Sequence, residues 1–138
     1  MGTWAVDTFG NDTACDWAGQ FARAGTLEDV PLKLAEVLSS GDYLDADIAT
    51  EALAACEVLA RLQGRWGLRN AYSQDLDAWV LSHPIQPSAD LIRKAVLAID
   101  RILAEQSELA ELWKDSPEGG AWRTSVEDLR RRVSGTGG

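Results

Sequence analysis

Asp12 and Asp16 stand four residues apart, a spacing that puts both carboxylates on one face of a helix. A pair so placed is half of a divalent-metal site or of a general acid–base site. It is also the pattern of a helix N-terminus, where unpaired amide groups favour negative charge, with Arg123 or Arg130 at hand to relieve the mutual repulsion. Asn11 precedes the pair with a side-chain oxygen suited to an N-cap, and Asp12 is expected to tether the arm before it through backbone N–H groups. Ser107-Glu108 is the other polar couple. It reads as a nucleophile beside a base, or as the cap of a helix that restarts there, and no histidine is near it in sequence. An enzyme built from these residues would bring Asp12, Asp16 and Glu108 together in a pocket beside Trp113.

Other catalytic patterns find little support. His83 is the only histidine, and it precedes Pro84 in what reads as an exposed loop, with no nucleophile elbow or papain-like signature around it. One histidine and two separated cysteines, Cys15 and Cys56, do not make a zinc site, and neither a metal nor a cofactor is expected. The cysteines read as small apolar residues on helices; a disulfide between them requires those helices to be neighbours. The glycines of "GRWGLRN" lack the spacing of a phosphate-binding loop. Of six tryptophans, Trp17, Trp79 and Trp113 are expected to fill the core. Trp4 and Trp66 lie in irregular segments and are better placed for a surface role.

Length and charge bound the rest. One domain accounts for 138 residues, and 46% hydrophobic with 25% charged residues suffices for a core without disulfides. A net charge of -9 argues against nucleic acid, because phosphate contacts need clustered Lys and Arg. It suits a basic protein partner, or simple solubility. No basic-then-apolar leader opens the chain and no apolar run approaches a bilayer span, so a cytoplasmic protein with no membrane contact is expected.

The elements that must position these residues are helices. Residues 1–10 have no helical period and read as an irregular arm, with 3–9 the one weak strand candidate. Ala14, Trp17, Ala18 and Phe21 define the inner face of a first helix that Gly25 stops. A second begins near Asp29, which keeps Pro31 in its first turn. A third, Ala-rich, is capped by Asp47 and stopped by Gly64, and its small residues would let another helix, or a second copy, come close. A fourth runs from Gln74 to Ser82 after Ser73. The fifth, after Ser88, is apolar over so much of its circumference that it is expected at the centre. Ser107 opens or bends a sixth, with Leu109, Leu112 and Trp113 inward. Gly119-Gly120 break the chain before a last helix carrying Trp122, Val126 and Leu129 inward and Arg130 to Arg132 at its C-terminal dipole. The expectation is an all-α, compact single-domain bundle of six or seven helices over 1–134, with the arm packed on it and a flexible tail at 135–138.

Both ends of the chain also carry a pattern. Gly2, Thr3, Trp4, Phe9, Asn11, Asp12, Ala14 and Asp16 at the start, with Ser107, Glu108, Leu109, Leu112 and Trp113 later, give "MGTW…F.ND.A.D" and "SELAELW". With "GDYL" at 41–44 before an Ala-rich helix, the chain resembles the bacterial domain-of-unknown-function family numbered 4259 over nearly its whole length. It departs at Ala5 and Asp7, where such openings carry glycines. The resemblance implies a small helical protein and supplies no catalytic residues.

The function expected is therefore a non-enzymatic interaction or binding module, of the immunity or antitoxin kind, with an acidic face for a basic partner. Its candidate cluster is Trp4, Asn11, Asp12, Asp16, Ser107, Glu108 and Trp113. The alternative is a small-molecule or metal-dependent enzyme using Asp12, Asp16 and Glu108, and self-association through the helix at 48–63 is a third.

Overall fold

The computed structural model describes residues 3–135. They form an all-α single domain of seven helices: α1 (Asp12–Ala24), α2 (Asp29–Leu38), α3 (Ala46–Leu62), α4 (Gln74–Ser82), α5 (Ala89–Leu103), α6 (Glu108–Lys114) and α7 (Gly119–Ser134). The arm is no strand: it makes one isolated bridge, Thr3 with Asn11, and a second bridge joins Leu44 to Ser107. Of the expected tail, residues 136–138 lie outside the described residues, and Gly135 closes α7 in the left-handed conformation.

Side chains set the helix starts. Asn11 Oδ1 accepts from Ala14 N at 2.8 Å and caps α1 as expected. Asp29 opens α2 and accepts from Thr26 N at 3.0 Å, with Pro31 in the first turn, where its missing N–H leaves no bond unmade. The cap of α3 is Asp45, not Asp47: its Oδ2 accepts from Asp47 N and Ile48 N. Helix α5 stops at Leu103, and Gln106, at φ 62°, turns the chain into Ser107, so α6 is a new helix rather than a bend in the old one. Helix α7 takes Gly119 and Gly120 into its first turn instead of breaking at them. A Cβ on Gly119 would lie 2.2 Å from the Trp113 carbonyl oxygen, so the elbow between α6 and α7 closes only on a glycine there.

Helix α3, not α5, is the centre. It touches each of the other six helices, and every residue from Ala52 to Leu62 is buried. Small side chains on all sides allow neighbours to approach from every direction. Helix α5 buries only Ala95, Ala98, Ile99 and Ile102, and Leu97 points outward. The α3 alanines at 49, 52, 54, 55 and 60 are fully covered by the chain's own helices, which leaves them no surface for a second copy.

The aromatic residues split differently from expectation. Trp79 and Trp122 are buried, whereas Trp17 and Trp113 are half-buried. Trp79 packs between Phe21, at 4.5 Å, and His83, stacked at 4.1 Å, and joins α1 to the end of α4. His83 is thus half-buried, with Nδ1 2.8 Å from the Trp79 carbonyl oxygen, rather than a free loop residue. Leu112, expected inward, is 60% exposed.

Candidate functional site: an acidic cleft under the arm

The arm folds back on itself before α1. Trp4 N and Ala5 N donate to the Gly10 carbonyl at 2.8 and 3.2 Å, and Gly10 N donates to Asp7 O at 3.0 Å. A Cβ on Gly10 would meet Ala5 O at 2.6 Å, so this crossing needs a glycine. Asn11 Nδ2 donates to Thr8 O, and Asp7 Oδ2 accepts from Phe9 N, both at 3.3 Å. The acid that tethers the arm is therefore Asp7, not Asp12. Phe9 drives the arm onto the bundle, with 2% of its surface exposed. Trp4 stays 47% exposed, its ring 5.0 Å from that of Tyr72.

Opposite the arm, α6 is fixed by the polar couple read as a possible nucleophile and base. Ser107 is fully buried, and its Oγ accepts from Ala110 N at 3.5 Å. Glu108 Oε1 accepts from Ala46 N at 2.9 Å and so helps to cap α3 from another helix. Backbone bonds from Leu44 N to Gln106 O and from Glu108 N to Leu44 O clip the α2–α3 link to the start of α6. Ser107 and Glu108 thus tie the start of α6 to the start of α3.

Between arm, α3, α6 and α7 lies a cavity of about 230 Å³. Its apolar lining includes Trp113 and Trp122, stacked with centroids 6.1 Å apart, and Leu109. Its polar lining includes Asp7, Asn11, Asp47, Thr50 and Ser125. Neither lysine nor arginine lines it. Of the sequence-derived cluster, this cavity brings together Asn11 and Trp113. Asp12 and Asp16 are exposed on α1, and neither they nor Glu108, Ser107 and Trp4 line it. The arginines suggested as partners for the pair serve elsewhere: Arg123 donates to Leu103 O, and Arg130 pairs with Asp100. No group of three or more His, Cys, Asp or Glu among the described residues could hold a metal ion.

A second polar site lies behind the arm and escaped the sequence reading. Glu57 of α3 is 3% exposed. It accepts both η-nitrogens of Arg132 at 3.0 and 3.1 Å, Arg61 Nε at 3.2 Å and the Thr8 hydroxyl at 2.8 Å. Arg61, 2% exposed, also bonds Asp77 and donates to Leu68 O at 2.9 Å. Its guanidinium lies over the rings of Phe9 and Trp66, at 5.5 and 5.7 Å. Ser73, placed to cap α4, instead donates its hydroxyl to Asp77 at 2.8 Å. Burial alone would raise the Glu57 pKa; the hydrogen bonds and charge of Arg132, with Arg61 and Thr8, outweigh it and hold the carboxyl below the usual range. The signal was present as an acid and a base at i, i+4 within the apolar run "CEVLARL".

The cysteines are free thiols. Burial, then the carboxylates of Asp12, Asp16 and Asp7, raise the pKa of Cys15, and burial raises that of Cys56 further. Neither sits in a setting that favours thiolate. No described helix is long and apolar enough to cross a membrane.

A comparison with curated proteins finds no match, and a comparison with solved structures finds none. The family model described as a domain of unknown function, DUF4259, matches residues 2–125, and the chain belongs to that family.

Proposed function

We propose that this protein is a non-enzymatic binding module for a basic protein partner, acting in the manner of an immunity or antitoxin protein in a bacterial cytoplasm. One observation carries the reading: the charge is polarised along the chain. Residues 1–60 hold eleven acidic and two basic side chains, and residues 61–138 hold eleven of each, so the whole net charge of -9 belongs to the first part. Of the two cations there, Lys33 is already held by Glu36 and Glu51, each at 2.8 Å. Asp12, Asp16, Glu28, Asp42, Asp45 and Asp47 remain exposed. Net negative charge concentrated in one part of the chain speeds encounter with a partner of opposite charge. The separation of Asp12 and Asp16 from Glu108 favours binding over catalysis by those acids.

The test uses labelled Lys/Arg-rich and Glu-rich peptides with the full chain. Association with the basic set is expected to fall steeply as salt rises from about 30 to about 300 mM, where the Debye length shortens severalfold. The variant Asp12→Asn/Asp16→Asn/Glu28→Gln/Asp42→Asn, which removes no side chain that caps a helix by a hydrogen bond, should bind them about tenfold more weakly or worse. Equal affinity for both peptide sets, or no change in the variant, refutes the reading.

A further inference from the structure

We infer that the cleft under the arm is the seat of one guanidinium group, an arginine side chain of the basic partner; this rests on the binding reading above and gives it a chemical address. Three features of the cleft point the same way. Its cationic complement is missing: Asp7 and Asp47 line it, neither has an ion pair among the described residues, and neither lysine nor arginine is in its wall. It also offers an acceptor: Thr50 is only 9% exposed and lines the cavity, and its hydroxyl makes no hydrogen bond to another described residue. A hydroxyl that opens on the cavity and has no protein partner is free to accept from a guest. Its lining also includes the pair of parallel indoles, Trp113 and Trp122.

A guanidinium answers all three. It is planar and weakly hydrated, so it stacks on an indole face. Its five N–H groups can be shared between two carboxylates and the Thr50 hydroxyl, which accept. Its alkyl stem would lie against Leu109 and the exposed Leu112 at the mouth. The size agrees: about 230 Å³ is below the range of roughly 300–1,000 Å³ for drug-sized ligands and suits a single long side chain. Lysine's compact ammonium would use the carboxylates but gain less from the flat wall.

The experiment follows the indole N–H signals of Trp113 and Trp122 by NMR, with Trp79 as an internal reference for the fold. The probes are N-acetyl-arginine methylamide, its neutral isostere N-acetyl-citrulline methylamide, and agmatine. Saturable shifts of the Trp113 and Trp122 signals with the arginine probe, at least about tenfold weaker with citrulline, are expected. Asp47→Asn should weaken the arginine probe at least about tenfold, and Thr50→Val, which keeps the shape, severalfold, each with the Trp79 signal unmoved. Equal response to citrulline, no response to the arginine probe, or full binding in both variants overturns the inference. Agmatine binding tenfold tighter than the blocked arginine overturns the partner side chain as the source. If basic peptides still bind in a salt-dependent way while the two indole signals stay still, the cleft assignment fails and the broader reading stands. If the arginine probe fills the cleft but the rim-neutralised variant keeps full affinity for basic peptides, the broader reading fails instead.

Discussion

Asp12/Asp16 and Glu57/Arg61 share one spacing and have opposite fates. Both pairs sit one turn apart on a helix. The first is a like-charged pair, exposed on α1, with bulk water to screen its repulsion. The second is an opposite-charged pair inside the central helix, where both members are almost fully buried. The difference teaches that spacing alone says which face residues share, and not where that face points. What decides is the surrounding run: Asp12 and Asp16 lie among small and polar residues, whereas Glu57 and Arg61 are embedded in Val58, Leu59 and Ala60. An ionic pair carried inward by such a run must find partners, and here Thr8, Asp77 and Arg132 are recruited from three other parts of the chain.

The contrast can be broken most forcefully at Arg61. Arg61→Ala leaves Glu57 short of a partner and Asp77 without its main one, both out of water. It should cost about 3–5 kcal/mol in urea unfolding, a large fraction of the roughly 5–15 kcal/mol that an ordinary domain has. A loss below about 1 kcal/mol would mean that the interior pair is as solvated as the exterior one.

Acid sharpens the same contrast. The folded Glu57 carboxyl titrates below its unfolded value, near 4.3 for a free glutamate, so its contribution is complete above that pH and is lost as pH falls through the folded pKa. Urea midpoints taken downward from about pH 5 should drop more steeply in the native chain than in Glu57→Gln. Parallel acid limbs in the two proteins would contradict this.

A smaller effect is expected at the elbow that places the indole wall. Gly119→Ala should destabilise by about 1–3 kcal/mol by thermal melting, because a Cβ cannot coexist with the Trp113 carbonyl at that distance. Gly120→Ala meets nothing within 4 Å and should be neutral or stabilising by up to about 1 kcal/mol. If both changes act alike, the elbow is not the constraint described. Smallest of all, Asp12→Asn and Asp16→Asn should each shift stability by less than about 0.5 kcal/mol, in contrast to Arg61.

Much of the fold was legible because local chemistry fixes it. Asn11 and Ser88 cap as their types dictate, and α4 has the bounds read from Ser73, Pro84 and the period between them. What was not legible depends on distant partners. Asp45 outcompetes Asp47 as the α3 cap, and its work is shared with Glu108, 62 residues from the amide it accepts. The place of α3 at the centre comes from the smallness of its side chains, whereas a wide apolar face drew attention to α5. The candidate cluster was only partly assembled: Asn11 and Trp113 meet at the cleft, and Asp7, Asp47 and Thr50 join them from segments read as an arm and as ordinary helix. Arg132 looked like a dipole residue because its partner lies 75 residues back.

That separation has a consequence for how the protein is made. On a ribosome, α3 emerges with Glu57 and Arg61 already one turn apart, but the two η-nitrogens that saturate Glu57 follow 75 residues later. Until α7 clears the exit tunnel, the middle helix carries an incompletely neutralised charge that resists burial. The Glu57 site is therefore complete only once Thr8, near one end of the described chain, and Arg132, near the other, have both been brought to α3.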